Sequence, residues 1–273
     1  MYSENIDNFA EAGAHKALAL RERPIPFLAG AAMAGAYIGF GDIVMFSTGA
    51  HVGAAYVHMV MGGVFACALT FVLFAGSDLF TGTAMYMPFA LLRGKAGIGE
   101  MVSVWAASWI GNLLGAVVLA LLLIMAGGGV LLTDGSATFF KVVEAKMAAS
   151  GPELFARGLL CNWLVCLAIW MCGRTTSDGA KLGLIFWSVF VFIASGFEHS
   201  VANMFAFAVA LLGPHPATIS LSGALHNELW VTLGNLVGGA VFMALGYWVQ
   251  GDSVGHPSHS RIGGAVTNPR TRP

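Results

Sequence analysis

Hydrophobic side chains run along this chain in long, nearly continuous stretches, and the polar residues gather between them. No Asp, Glu, Lys or Arg lies between Asp42 and Asp78, between Glu100 and Asp134, or between Glu228 and Asp252. A hydrocarbon core takes about 20 apolar residues per helix. On that measure the chain reads as six spans, about 25–48, 58–92, 99–126, 152–173, 182–212 and 227–250. The runs do not alternate, which argues against barrel strands. The expected fold is an all-α polytopic membrane protein.

Two of these stretches are cut by polar breaks. Gly76-Ser77-Asp78-Leu79-Phe80-Thr81-Gly82 interrupts the second, and Gly196-Phe197-Glu198-His199-Ser200 interrupts the fifth. Backbone that leaves the helix at membrane depth persists only where protein buries it or where it lines a cavity. A matched pair of such breaks in the two halves of a chain points to a binding or permeation site between them. A second correspondence supports the pairing. Gly111-Asn112-Leu113-Leu114-Gly115 recurs as Gly234-Asn235-Leu236-Val237-Gly238, 35 residues after Gly76 in one case and 38 after Gly196 in the other. Spans one to three and four to six read as two copies of one unit. Three is odd, so the second copy must be inverted in the bilayer. Gly35/Gly39, Gly111/Gly115 and Gly234/Gly238 are each spaced Gly-x-x-x-Gly, the small-residue spacing that lets helix backbones approach in lipid.

Composition sharpens this picture in a few places. The chain has 273 residues, of which 57% are hydrophobic and only 10% charged, and its mean hydropathy is +0.77. These values exclude an ordinary soluble domain. No cleavable leader pattern opens the sequence. Residues 1–24 read as a cytoplasmic segment whose 3–23 stretch is either an amphipathic helix along the membrane face or a solvated arm. Residues 25–250 form the six-span domain, and 251–273 read as a disordered cytoplasmic tail rich in Pro, Gly, Ser and His. With both termini inside, ten Lys and Arg face the cytoplasm and three, Lys141, Lys146 and Arg157, face outward. Cys67, Cys161, Cys166 and Cys172 all fall in spans and read as reduced packing residues. A net charge of −1 is uninformative about partners, and no nucleic-acid partner is expected.

Candidate chemistry gathers at the breaks. His199 is the one histidine deep inside a span, and an ionisable residue there is a functional candidate unless a backbone partner satisfies it. Thr81 offers a hydroxyl from the opposite break, either to a ligand or as a helix cap. The second half of each broken helix would begin near Gly82 or Ser200 and aim unpaired N–H groups at the centre, which favours anions. No Lys or Arg lies in either break, so that attraction is expected to be weak. Asp78 and Glu198 match across the repeat. Without a Glu-x-x-His pair or another ligand cluster they read as holders of freed N–H groups, not as a metal or hydrolytic site, and no cofactor is expected. Phe65, Leu69, Leu79 and Phe192 lie near the breaks, where apolar side chains either close a passage by dewetting or merely pack. Asp42, about 19 residues past Arg23, falls near the interface by helix rise and acquires no role from the sequence.

The stretches 75–82, 160–168 and 195–204, Ser195-Gly196-Phe197-Glu198-His199-Ser200-Val201-Ala202-Asn203-Met204 among them, resemble the formate/nitrite transporter family over about residues 10–250. The run Cys161 to Met171 and the stretch Leu229-Trp230-Val231-Thr232-Leu233-Gly234-Asn235 are most similar to its nitrite-channel branch. The resemblance implies an aquaporin-like six-helix fold, a homopentamer with one pore per subunit, and a bacterial inner-membrane location. It implies that Thr81 and His199 stand at the pore centre, that Lys146 and Asn162 polarise the histidine's surroundings, and that Phe65, Leu69, Leu79 and Phe192 form constrictions. It also implies an apolar residue at position 42. The leading expectation is a channel for small monovalent anions, nitrite first, with proton-linked passage past His199; formate and hydrosulfide are the alternatives within the family. A neutral-solute pore would share the architecture without needing an ionisable centre. A membrane enzyme or quinone-binding subunit would need a ligand cluster or cofactor motif, and the sequence carries none.

Overall fold

The computed structural model describes residues 2–252, and every regular element among them is helical. The chain enters through α1 (Ser3–Glu22), which leads directly into α2 (Pro24–Gly49). Pro24 opens α2, where a missing N–H and a fixed φ cost nothing. The next helices are α3 (Val57–Ala75), α4 (Phe80–Leu92) and α5 (Ile98–Met125). Two short elements, α6 (Gly129–Leu132) and α7 (Ser136–Ala148), lead to α8 (Gly151–Cys172). Then come α9 (Asp178–Ala194), α10 (Ser200–Leu212) and α11 (Leu221–Val237). A π-helical stretch, Gly238–Leu245, joins α11 to α12 (Gly246–Asp252). The expected tail lies, from residue 253 on, outside the described residues.

Five helical segments are long and apolar enough to cross a membrane: Pro24–Gly49, Val57–Ala75, Ile98–Met125, Gly151–Cys172 and Leu221–Gly251. The remaining apolar stretch, expected over 182–212, falls on α9 and α10, which are 17 and 13 residues long.

Small residues set the packing. α2 lies closely on α5, and α8 on α11. A Cβ added at Gly115 would stand 1.8 Å from the Ala32 carbonyl oxygen, and one at Gly234 would stand 2.2 Å from that of Phe155. Only glycine permits this approach. α3 packs on α9, so the two helices that end in polar breaks are neighbours.

The N-terminal helix is not a solvated arm. α1 buries Ile6, Phe9, Ala10, Gly13 and Ala17. Phe9 stacks on Trp170 at 5.6 Å and on Phe89 at 6.1 Å between ring centres. Its apolar face is thus covered by protein, and its polar face reaches the turn after α4. Lys95 pairs with Glu11, and Arg93 pairs with Asp7 at 2.9 Å. Lys95 holds the Glu11 carboxyl below its usual pKa. That small surface contribution is therefore present above the ordinary glutamate range and disappears as pH falls through the lowered value.

The contact between α2 and α5 yields a direct test. Gly115→Ala should force the two backbones apart and lower stability in detergent by about 1–3 kcal/mol, the usual cost of overpacking. Gly63→Ala, where an added Cβ meets nothing within 4 Å, should leave the midpoint unchanged or slightly raised. Thermal unfolding of the two variants beside the parent checks the contrast.

Candidate functional site

Each polar break begins where a helix ends on a glycine in the left-handed region, Gly76 at φ 75° and Gly196 at φ 71°. In both, the following N–H returns to the helix just left, Ser77 to the Val72 carbonyl at 3.1 Å and Phe197 to that of Phe192 at 2.9 Å. This is the Schellman closure that a glycine at this position permits. The next N–H in each break leaves for a neighbouring helix. Asp78 donates to the Gly30 carbonyl and Glu198 to that of Arg157, each at 3.3 Å.

The new helix start is then held by an asparagine. Asn112 Oδ1 accepts from Phe80 N–H at 2.8 Å, and Asn235 Oδ1 accepts from Ser200 N–H at 3.0 Å. Asn112 Nδ2 donates to the carbonyls of Ala31 and Asp78 at 2.7 and 2.9 Å. Asn235 Nδ2 donates to those of Gly158 and Glu198 at 2.8 and 3.1 Å. One side chain thus supplies an acceptor and two donors to each interruption.

This corrects the expected role of Asp78 and Glu198. They do not hold the freed N–H groups. Each meets a lysine carried in by an amphipathic helix: Lys16 of α1 pairs with Asp78, and Lys146 of α7 pairs with Glu198 at 2.7 Å. Lys146 also donates to Asn203 Oδ1 at 2.8 Å, and Asn203 Nδ2 donates to Glu198 at 2.8 Å. A positive charge therefore reaches both breaks, although neither contains one in sequence.

The starts of α4 and α10 meet. Thr81 Oγ1 lies 3.1 Å from His199 Nε2, and both residues are buried. His199 is itself the cap of α10, its Nδ1 accepting from Ala202 N–H at 3.1 Å. A backbone N–H can only donate. The neutral ring so held carries its proton on Nε2, facing Thr81. Thr81, read as a possible cap, caps nothing; Leu79 occupies that position in α4 without a side-chain bond. Asn162 makes no hydrogen bond to the histidine. Its Nδ2 donates to the carbonyls of Thr81 at 3.1 Å and Asn235 at 2.6 Å, fastening α4 to the last long helix.

Apolar rings flank this centre. Phe192 stacks on His199 with ring centres 6.1 Å apart, and Phe65 meets Phe192 edge-on at 6.2 Å. Leu69 lies one turn beyond Phe65 on α3, Leu79 just precedes α4, and all four are buried in the same core. A cavity of about 520 Å³ opens beside Lys146, Arg157 and Glu198 and is lined by Val57 and Met61 of α3. Another, of about 560 Å³, opens beside Lys16 and Asp78 and is lined by Val72 and Leu73 of the same helix. Phe65 and Leu69 therefore stand between two vestibules. The four cysteines are free. Among the described residues no group of three His, Cys, Asp or Glu is placed to hold a metal.

A buried polar pair beside apolar rings, in a chain of membrane-length helices with cavities at the two ends of α3, fits a membrane transport protein. The chain belongs to the formate/nitrite transporter family, whose model, described as "Formate/nitrite transporter", matches residues 3–249. It is 44% identical over 257 residues to the nitrite transporter NirC of Escherichia coli K12, covering 94% of this chain and 95% of that one. It is 43% identical to NirC of Salmonella typhimurium, covering 96% and 97%. The formate channel FocA of Escherichia coli K12 is 29% identical, with 88% and 90% covered. Among solved structures, an FNT family ion channel superposes with a TM-score of 0.88 at 44% identity, over 91% of this chain and 99% of that one. A pentameric formate channel with formate bound gives 0.71 at 27% identity, over 82% and 96%. These relatives are transporters and channels, not enzymes.

Removing one asparagine should show what holds the breaks. Asn235→Ala leaves the Ser200 N–H without its acceptor and the Glu198 carbonyl without its donor. Each buried group left so costs about 1–3 kcal/mol, so the variant should unfold well before the parent in a detergent melt. Asn235→Asp keeps the acceptor and loses the donor, and should fall between the two.

Proposed function

We propose that this chain forms a channel for small monovalent anions, nitrite foremost, with formate and hydrosulfide as further substrates. The observation that carries the proposal is the Thr81–His199 contact at 3.1 Å, made by the first turns of two helices that start inside the protein. Such helix starts present partial positive charge to whatever passes, and the names of the NirC relatives favour nitrite. Phe65, Leu69, Leu79 and Phe192 are assigned as the constrictions on either side of the pair, since their burial between the vestibules is what a dewetting barrier requires. Lys146 and Asn162 set the field and the position of the centre, Lys146 through Glu198 and Asn162 through the Thr81 carbonyl. Asp78 and Glu198 neutralise the lysines, so that an anion is drawn in and still released.

The architecture proposed is six spans in a three-plus-three inverted repeat, with the second and fifth spans broken, as in aquaporins. The one-for-one match of the bonds around Asn112 and Asn235 supports it. Residues 1–24 then lie on the cytoplasmic side, 25–250 cross the membrane, and the tail returns to the cytoplasm; the Lys and Arg distribution supports this orientation in a bacterial inner membrane. The pentameric relative supports a homopentamer with a pore in each subunit.

Passage is proposed to be linked to protons. A bare anion in a dry constriction meets a large desolvation cost, and nitrite, a weak acid's base, escapes it by taking a proton. The capping bond favours one other reading, in which the neutral ring offers only an Nε2–H hydrogen bond and the anion crosses unprotonated. Nitrite and proton flux measured together in liposomes separates them. Parent flux should rise as external pH falls, with protons moving alongside, and His199→Asn should lose both properties. Nitrite carried as a current without protons would establish the second reading, and an unchanged His199→Asn would reduce the histidine to a cap.

Phe192→Ala tests the constriction in the same assay. It should admit larger carboxylates such as acetate and lactate, at a stability cost of about 3–5 kcal/mol. A stable variant with unchanged selectivity would make Phe192 packing alone.

A further inference from the structure

Asp42 has no part in the scheme so far. It lies on α2, is 2% exposed, and its Oδ2 has no hydrogen-bond partner. It is enclosed by protein. Together with His199, Lys146 and Asn203 it lines a small cavity of about 30 Å³, whose other walls are apolar, Phe46, Ile193 and Phe197 among them. That is room for one water, with enough polar groups around it to hold one.

The charges around Asp42 are few. From α7 comes Lys146, already bonded to Glu198 and Asn203. The other ionisable residues of α7 lie elsewhere, Lys141 in the vestibule and Glu144 against Thr218. From α3 comes the Cys67 thiol, close enough to couple electrostatically to Asp42. From α10 comes only its cap, His199. α5 has one ionisable residue, Glu100 in its first turn, and α6 has none. Lys16 of α1 serves the other break. The cavity thus brings Asp42, whose Oδ2 is unpartnered, and the central imidazole to one small space, together with Ala202, whose N–H holds Nδ1.

We propose that Asp42 is the proton-exchange partner of His199, acting through one water in this cavity. The inference rests on the proton-linked reading above. The Asp42 O–H bond breaks, the water passes a proton on, and an Nδ1–H bond forms as the Ala202 contact is released. At the same time the Nε2–H bond breaks, and that proton joins the anion beside Thr81. The ring stays neutral throughout, Asp42 becomes a carboxylate near the Lys146 ammonium, and the substrate leaves as its neutral acid. The start is restored when Nε2 takes a proton from vestibule water and Nδ1 returns its own to Asp42. Without such a partner, a ring whose Nδ1 accepts from backbone has no second proton to draw on.

The test uses the full chain in liposomes, with nitrite uptake and internal pH followed together across external pH. Asp42→Asn is nearly isosteric and cannot exchange a proton in this way. Its proton-coupled flux should fall by about a hundredfold, the low end of what a positioned proton-transferring group contributes. The residual flux should lose its rise at low pH, while thermal stability and oligomeric state stay as in the parent. Asp42→Glu should restore most of the coupled flux. Parent-like coupling and pH profile in Asp42→Asn would overturn this inference alone. So would a reduced flux whose proton ratio and pH profile are unchanged, since that marks a structural role. A parent that moves nitrite without protons would overturn the proton-linked reading and this inference with it, and a parent that moves no anion would overturn the channel itself.

Discussion

Everything at the centre of this protein depends on satisfying backbone groups where a helix stops inside an apolar interior. A helix start leaves its first N–H groups without partners, and hydrocarbon offers none. Asn112 and Asn235 answer that constraint with a carboxamide, the side chain that both accepts and donates without carrying charge. A carboxylate in the same place would accept but not donate, and would set a negative charge in the path of an anion. The choice of asparagine leaves Asp78 and Glu198 free for another purpose.

The purpose proposed for them is charge balance. The helix starts contribute partial positive charge at the meeting of Thr81 and His199, and Lys16 and Lys146 bring full charges to its two flanks. Unpaired, those lysines would make a deep well for an anion, and a passage with a deep well does not conduct. Paired with Asp78 and Glu198 they leave a shallower field, set mainly by oriented dipoles. The two amphipathic helices thereby become part of the site, α1 from one face and α7 from the other. The burial of Ile6, Phe9 and Ala10 against the channel helices fixes α1 in register to deliver Lys16.

Much of the fold was legible in the sequence because its determinants are local. Long apolar runs announce helices, a Gly-x-acid interruption announces a break in one, and Gly-x-x-x-Gly announces a close crossing. Thr81 and His199 stood out for the same reason, since each sits in an interruption, whereas Phe65 and Phe192 were singled out as constrictions only by the family resemblance. What escaped was whatever depends on a partner far along the chain. Lys16 lies 62 residues before Asp78, in a segment that reads only as amphipathic. Asn112 and Asn235 were visible as marks of an internal repeat, and the recurrence of an asparagine in each copy was the available signal. Its meaning required seeing which backbone atoms it faces. The family resemblance supplied Lys146 and Asn162 as polarising residues. In the structure Lys146 bonds Glu198 and Asn203, and Asn162 bonds the backbone carbonyl of Thr81.

The cap on α10 ties fold to chemistry most tightly. Serine, threonine, aspartate and asparagine are the usual residues at such a position, and any of them would hold the Ala202 N–H. A histidine there does so with Nδ1 and is thereby committed to presenting Nε2–H to Thr81. The fold thus fixes the tautomer before any substrate arrives. The same commitment limits what the ring can do. A second proton on Nδ1 and the capping bond are mutually exclusive, so each proton delivered to that nitrogen loosens the first turn of α10. Protonation of His199 Nδ1 and the integrity of the helix start would consequently be one equilibrium.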